Sequence, residues 1–527
     1  MDFLRLNDDL ISVLFEDDDI IAIDKPYGFN AHTNDAKADH GVAIQDGLIE
    51  IFEKNRGSSL HIIHRLDQTT TGVMIFGKSV ESAKKYADYF LHRQVKKTYW
   101  FVTDRKSNKQ KFVIDQAIVH KAKELEAKTE LNFLKSAHGF ELWQANPYTG
   151  RNHQIRIHAE AAGLSLLGDE KYGGSRFSFL TLHNHKIQFP NGIQIESKPP
   201  VYFEKLEILK DPVLTTFYFE ADRRQRLFKN ADESCYRIVN HLNGAKEPGF
   251  SLDKFGRVLI LNWYKEAWLP SDEATWSQVS KELRMPIWVH GKDLKKYLGL
   301  DRNDHWSVKD NSISYEIRSE IPAAPGLYLN QRLQRKWLRD NANGKSVLNL
   351  FANSGSYAVA AAIGQASEVT LVEGSKNYLA WSKRNFELNG IDQTKYKFLN
   401  RDSLTFLESS LSKNLRFDIV ICDTPTFFRR EKGIFKIDKD FEKLLTDCVR
   451  LVADGGTLLI STQFDGFFVD DLRRKIEKVQ KNLAIKNLKI NLVLPSLDFE
   501  LPGQKANLKS FLIQKGRQTA DGSAGHD

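Results

Sequence analysis

The sequence predicts a multidomain chain: an α+β unit over 1–210, a small α+β unit over 213–320, an α/β unit over 321–515, and a disordered tail over 516–527. Three observations predict this. The chain has 527 residues, more than one hydrophobic core serves. Strand-like runs dominate its first part. After "IPAAPG" (321–326), strand and helix alternate, the pattern of a parallel doubly wound sheet.

The elements follow in order. "IIAIDKPYG" is an apolar strand broken by Pro26 and Gly28, and "TGVMIFGKS" is a second strand. A helix, "SVESAKKYADYFLHR", comes next, then a β-rich run, "KKTYWFVTD". "LNFLKSAHGFELWQANPYTG" reads as two strands joined at His138-Gly139, and "NHQIRIHAEAAG" as a helix closed by Gly163. "ILKDPVLT" reads as a linker. "FGRVLILNWY" and "MPIWVHG" are aromatic strands of the small unit. "SVLNLF", "VTLVEGS", "KFLNRD", "FDIVICD" and "GGTLLIST" are the strands of the last unit. Its helices are "YAVAAAIG", "SKNYLAWSKRNFELNG" with Ser375 as N-cap and Gly390 as stop, and 439–453.

Composition narrows the function. Hydrophobic residues make up 41% and charged residues 27%, as in a soluble globular protein. A net charge of +8 permits an anionic partner without demanding one. Cys235, Cys422 and Cys448 are too scattered for a disulfide framework or a cysteine zinc site, which fits a reducing cytoplasm. The polar start is no signal peptide, and no run of 18 apolar residues spans a membrane. No repeat appears, and oligomeric state leaves no mark.

Two constellations carry chemistry. In the first, "HIIHRLDQTTTG" places Asp67 between bases and a threonine-glycine turn. The residues read either as a polar turn or as a nucleophile. Tyr99 in "KKTYW", and Arg151, His153 and Arg156 in "PYTGRNHQIRIHAE", are candidates to surround it. If Arg156 reaches Asp67, the carboxylate stays charged. An ionised Asp can attack a sugar or base carbon, and the missing second acid argues against ordinary glycoside hydrolysis. His153 and His158 are poorly spaced for metal, so no metal is expected. The loop "DRKSNKQK" reads equally as a solvated hairpin tip or a phosphate contact.

Together "IIAIDKPYG", "HRLDQTTTG", "KKTYW", "PYTGRNHQIRIH", "GLSLLGDEKYGG" and "LTLHNHKIQF" resemble the RluA-type RNA pseudouridine synthases. The resemblance implies a pseudouridine synthase fold with a mixed antiparallel sheet and cofactor-free conversion of uridine to pseudouridine. It implies that Asp67 is catalytic, that Tyr99 stacks on the target base and that Arg156 pairs with Asp67. Arg65 would position the RNA, with Arg151 and His153 also on it. The base must leave its stack to be reached. Asp67 attacking the sugar and Asp67 assisting glycal formation stay open. Thr70 stands where that family usually has serine.

In the second constellation, "NLFANSGSY" joins strand to helix through a tight loop containing Gly355. Glu373, Asp402 and Asp423 end successive strands. Only one glycine of the dinucleotide fingerprint is present, which favours S-adenosylmethionine over NAD. "GLYLNQRLQR", "VLNLFANSGSYAV", "SKNYLAWSKRNFELNG" and "DTPTFFRREKGIFKIDKDFEKLL" resemble large-subunit rRNA methyltransferases, closest to the half of the bifunctional bacterial enzyme that methylates guanine N7. "CYRIVNHLNGAKEPGFSLDKFGRVLILNWY" resembles the small domain preceding that half. The resemblance implies a Rossmann-like domain in which Asn349, Phe351, Gly355, Glu373, Asp402, Asp423 and Pro425 line the cofactor site. Pro425 and Phe427 would lie beside the target base. Thr424 replaces a proline and Asn330 an aspartate of that family's motifs.

The expectation is a cytoplasmic bifunctional RNA-modification enzyme acting on large-subunit rRNA, with S-adenosylmethionine as methyl donor. Cytosine C5 methylation needs a thiolate, and "ISTQFDG" carries no cysteine where related enzymes place it. Guanine N7 needs only its lone pair in line with the methyl. C5-cytosine methylation and an inactive RNA-binding module remain the competing readings of the second half.

Overall fold

The computed structural model describes residues 3–4, 11–31, 47–50, 53, 58–120, 123–227, 235–240, 249–320, 325–430, 433–485, 487–496, 498–499 and 508–516. The tail over 517–527 and the break over 321–324 lie outside the described residues.

The first unit is built on one mixed sheet. Its path runs Val13–Glu16, Ile20–Lys25, Thr71–Gly77, Leu182–Gln188, Lys96–Thr103, Phe140–Pro147, Lys128–Ala137 and Lys111–Asp115. Neighbours are antiparallel except Thr71–Gly77 with Leu182–Gln188. Thr71–Gly77 and Ile20–Lys25 are buried throughout, so they read as unbroken apolar runs rather than alternating ones. His138 and Gly139 turn the hairpin at φ 56° and 91°, matching the twist that short hairpin turns require. The helix Val80–Leu91 starts at Ser79, whose side chain accepts the Ser82 N–H.

Gly72 is the fixed point of the threonine-glycine turn. Its φ is +106°, and a Cβ there would lie 2.2 Å from the Asn184 carbonyl oxygen. Only glycine lets the parallel strand approach so closely.

The small unit pairs Cys235–Val239, Phe250–Phe255, Val258–Trp263, Ile287–His290 and Lys295–Leu298 in one sheet, with the helix Pro270–Leu283 and the hairpin His305–Asp310/Ile313–Arg318. In the last unit an eight-stranded sheet runs Lys397–Asn400, Glu368–Glu373, Ser346–Leu350, Phe417–Thr424, Val452–Thr462, Lys509–Lys515, Leu488–Val493, Phe3–Leu4. Its pairs are parallel except at Lys509–Lys515, antiparallel to both neighbours. The chain winds outward from Ser346–Leu350 in one direction, then restarts beside it at Phe417–Thr424. Their carboxyl ends therefore open the switch-point crevice.

The expected linker "ILKDPVLT" is helical instead, as Leu206–Lys210 and Pro212–Leu227. Its apolar residues explain this. Leu206, Ile208, Leu209, Phe217 and Tyr218 are buried in a core cluster that also holds Ile21 and Phe76 of the first sheet and Trp276 of the small unit. Arg226 pairs with Asp24 and donates to the Lys198 carbonyl at 2.8 Å. Arg224 reaches the carbonyls of Arg237 at 2.9 Å and Asp498 at 3.2 Å. Burial on both sides overrides the turn signal of Asp211-Pro212, because proline is tolerated in a helix's first turn.

Candidate active sites

Asp67 lies in the loop before Thr71–Gly77, with its side chain 26% exposed. Arg156 comes from the helix Gln154–Ala161, and its Nη1 is 3.5 Å from Asp67 Oδ2. The opposite edge of the same guanidinium grips Asp169, through Nε and Nη2 at 2.7 Å each. Tyr172 packs its ring under the guanidinium at 4.9 Å and meets His153 Nδ1 through its hydroxyl at 2.8 Å. His153 Nε2 is 3.8 Å from Asp67 Oδ2. Burial alone would lower the Arg156 pKa, but Asp169 and Asp67 hold it above the usual arginine value. Burial holds the His153 imidazole below its ordinary value, against the pull of Asp67.

His153 adopts φ 55° at the head of its helix. This left-handed conformation is uncommon for a non-glycine residue, though histidine takes it more readily than most.

Tyr99 stands in the middle of Lys96–Thr103, paired with Asn184, which also faces Gly72 across the sheet. Burial and the Asp67 charge push its phenol pKa far up, so it keeps its proton. Lys25 lies beneath the loop, fully buried, and donates to the carbonyls of Thr70, Gln68 and Pro26 at 2.8, 3.0 and 3.2 Å. Burial lowers its pKa to about 7, against attraction from Asp67. His64 plays a different part from the one its position beside Asp67 suggests. Its Nε2 accepts the Ile75 N–H at 3.1 Å, its ring stacks on Phe90 at 4.9 Å, and burial pushes its pKa down to about 3. It is a neutral brace, and the charge partners of Asp67 come from distant segments. Arg65 is exposed, while Arg151 donates from Nε to the Glu126 carbonyl at 3.0 Å.

In the second crevice, Phe351 and Asn353 hold φ 51° and 50° ahead of Gly355 at φ 76°. A Cβ at Gly355 would meet Ser382 at 2.8 Å. The Glu373 carboxylate accepts N–H groups from Asn353 and Ser375, each at 2.8 Å, which locks this loop to the next strand. Asp402 caps the helix Ser403–Ser412 by accepting the Thr405 N–H at 2.8 Å. Asn349 is buried, its Oδ1 without a partner among the described residues. Asp423 accepts from Gln331 Nε2 at 2.7 Å and Ser461 Oγ at 2.9 Å. Burial raises its pKa, and those donors oppose the shift. Pro425 is half-buried, and Phe427 is 54% exposed on the hairpin Phe427–Arg430/Gly433–Lys436.

Residues 19–161 match the family model of RNA pseudouridylate synthases, and residues 287–485 match that of S-adenosylmethionine-dependent methyltransferases. Over 256 residues the chain is 31% identical to ribosomal RNA large subunit methyltransferase K of Neisseria meningitidis serogroup B, covering 45% of this chain and 71% of that relative. The chain belongs to the large-subunit rRNA methyltransferase family.

This methyltransferase family member also carries an RNA pseudouridine synthase domain ahead of the shared region, so the chain is an enzyme with two catalytic units. It is 29% identical over 261 residues to a putative ribosomal RNA large subunit methyltransferase of Bacillus subtilis, 47% of this chain and 65% of that one. It is 40% identical over 149 residues to methyltransferase K/L of Pseudoalteromonas translucida, of which it spans only 21%. A putative methyltransferase solved in complex with SAH shares the fold, at TM-score 0.52 and 22% identity, over 68% of this chain and 98% of that one.

The structure brings Asp67, Tyr99, His153 and Arg156 of the methyltransferase–synthase chain to one place, and Phe351, Gly355, Glu373 and Asp423 to the switch-point crevice. It leaves Arg65 and Phe427 on the surface. Sequence reasoning missed Lys25, Asp169, Tyr172 and Gln331. Each sits inside a recognisable motif, but nothing local marks its partner, which lies 13 to 92 positions away along the chain.

Proposed function

We propose that the first unit isomerises uridine in large-subunit rRNA, without a cofactor, through Asp67. The single observation that carries this is the Arg156 fork, shared between Asp67 and the buried Asp169. It supplies a fixed cation beside a partly exposed carboxylate. A carboxylate so held is fixed in place to act on the extruded nucleoside. Tyr99 stacks on the extruded uracil, and Arg65, Arg151 and His153 hold the RNA. The N1–C1′ bond breaks, the base turns, C5 bonds to C1′ and gives up its proton, and N1 gains one, so atoms balance without an added reactant.

The last unit transfers a methyl group from S-adenosylmethionine to guanine N7 of the same class of RNA. Asn349, Phe351, Gly355, Glu373, Asp402 and Asp423 line the donor's crevice, with Pro425 and Phe427 beside the base. The polar donor set and the Gly355 cradle fit a nucleoside. Cys422 is buried in the core, which supports N7 over a thiolate route to cytosine C5. The working divisions of this cytoplasmic enzyme are 1–210, 213–320 and 321–515, with Phe3–Leu4 joining the sheet of the last unit and the helix Pro212–Leu227 packing on the first. Among the described residues, no helix is long and apolar enough to cross a membrane.

The test is mass spectrometry of modified nucleosides in large-subunit rRNA from cells with and without the gene, complemented by Asp67→Asn. Loss of one pseudouridine and one 7-methylguanosine, with only the methyl mark restored by Asp67→Asn, is expected. No change in pseudouridine refutes the first half. One observation favours a second reading of the second half: both Asp423 oxygens already accept protein donors. Binding of S-adenosylmethionine without methyl transfer to RNA would establish that half as an RNA-binding module.

A further inference from the structure

The helix Pro212–Leu227 lies outside both family-model matches, yet one face of it reaches the first site. Phe219 packs edge-on against Tyr27 at 5.0 Å and stacks on Phe179 at 3.9 Å. Arg223 follows one turn later on that face. It is 6% exposed, and its Nη1 lies 3.5 Å from Glu220 Oε1. Glu220 is shared, because its other oxygen accepts Arg224 Nη1 at 3.0 Å. Nε and Nη2 of Arg223 have no hydrogen-bond partner among the described residues.

These two N–H groups form the edge by which Arg156 grips Asp169 and Arg226 grips Asp222. In Arg223 that edge is empty-handed. An orphaned buried donor is costly to the fold, so the folded chain is not what this fork satisfies. The planar edge of a guanidinium matches two oxygens of a phosphate. Its surroundings belong to the synthase site. Phe219 on the same helix face packs on the partly exposed Tyr27, and the N–H of the next residue, Gly28, donates at 2.9 Å to the carbonyl of Gln68, the neighbour of Asp67.

We propose that Arg223 is an RNA-binding residue of the synthase site, its free Nε/Nη2 edge receiving a backbone phosphate beside the extruded uridine. This rests on the reading of Asp67 as the synthase centre. The synthase unit is then incomplete at residue 210, and the helix leading to the methyltransferase half completes it. Both nitrogens are sealed from solvent in the free chain, so the phosphate enters only as the site rearranges around its substrate, as enzymes that close on a substrate permit.

The test uses the full chain, large-subunit rRNA transcribed in vitro, and the variants Arg223→Met, Arg223→Lys and Asp67→Asn. Arg223→Met is expected to raise the KM for pseudouridine formation at least about tenfold, with kcat within about twofold. The slope of log affinity against log salt should flatten by about 1. The thermal midpoint should hold or rise, since two orphan donors are gone. Arg223→Lys, which keeps the charge but loses the fork, should fall between. An unchanged KM and salt slope in Arg223→Met overturns the proposal. So does a fallen midpoint with undiminished activity per folded molecule, counted by S-adenosylmethionine binding, because that marks a structural ion pair. An active wild type, a dead Asp67→Asn and an unaffected Arg223→Met remove this inference alone. A wild type that makes no pseudouridine removes the synthase reading with it.

Discussion

Asp169→Asn is the sharpest probe of the first site, because the buried Asp169 carboxylate holds Arg156 with both oxygens. Its side chain is 1% exposed, and both oxygens hold the guanidinium at 2.7 Å. At an effective dielectric of 20, a unit pair at that distance attracts by about 6 kcal/mol, and Arg156 with Asp67 at 3.5 Å by about 5 kcal/mol. Desolvation offsets much of each. The substitution removes the stronger of the two attractions and leaves a half-buried guanidinium with one neutral acceptor. Breaking a buried pair costs about 3–5 kcal/mol, and asparagine keeps one acceptor oxygen, so a loss near 3 kcal/mol is expected. That lowers the thermal midpoint of the first unit by roughly 6–10 °C. Arg156 is then free to swing about Asp67. The single-turnover rate of pseudouridine formation should fall about 100-fold at 20 °C, where the variant is still folded, while methyl transfer stays within about twofold. The assay is quantitative nucleoside mass spectrometry on rRNA quenched over time. A synthase rate within about threefold of wild type, in a variant with the lowered midpoint, would refute the claim that Asp169 orients Arg156.

Four further outcomes follow. Lys25→Met strands the buried Pro26 and Thr70 carbonyls, while the Gln68 carbonyl keeps the Gly28 N–H, so it should destabilise the first unit by about 2 kcal/mol in chemical denaturation and slow the synthase with it. Lys25 also sets a pH dependence: its folded value is near 7 against 10.5 free. The unfolded chain therefore binds the extra proton between those values, and wild-type stability gains a rising contribution from about pH 7 to pH 10.5 that Lys25→Met lacks; parallel denaturation curves across that window would contradict it. Glu373→Ala frees the Asn353 and Ser375 amides and should weaken S-adenosylmethionine binding at least about tenfold by calorimetry, with the synthase unaffected. Gln331→Glu sets a second carboxylate against Asp423 at the 2.7 Å now spanned by a hydrogen bond; methyl transfer should be lost near neutral pH and partly recovered in mild acid.

Much of the architecture is legible because it is written locally. Buried strands such as Ile20–Lys25 and Ser346–Leu350 are short apolar runs, and the helix Lys376–Leu388 is bracketed by Ser375 and Gly390. The helix Pro212–Leu227 is not legible. Its Asp-Pro start imitates a linker, and what makes it a helix is burial against two sheets that the local sequence does not reveal.

The main apolar strands, the Ser375 cap, the candidate acids and the two families of motif were determined by the sequence alone, since each depends on neighbours within a turn or a strand. Which charges meet was decided only by the tertiary structure. Arg156 divides itself between Asp67 and Asp169, Lys25 braces a loop more than forty positions away, and Arg223 keeps a fork that no described residue fills. Such pairings are set by the packing of distant segments, where a shift of about an ångström turns an ion pair into a solvated charge.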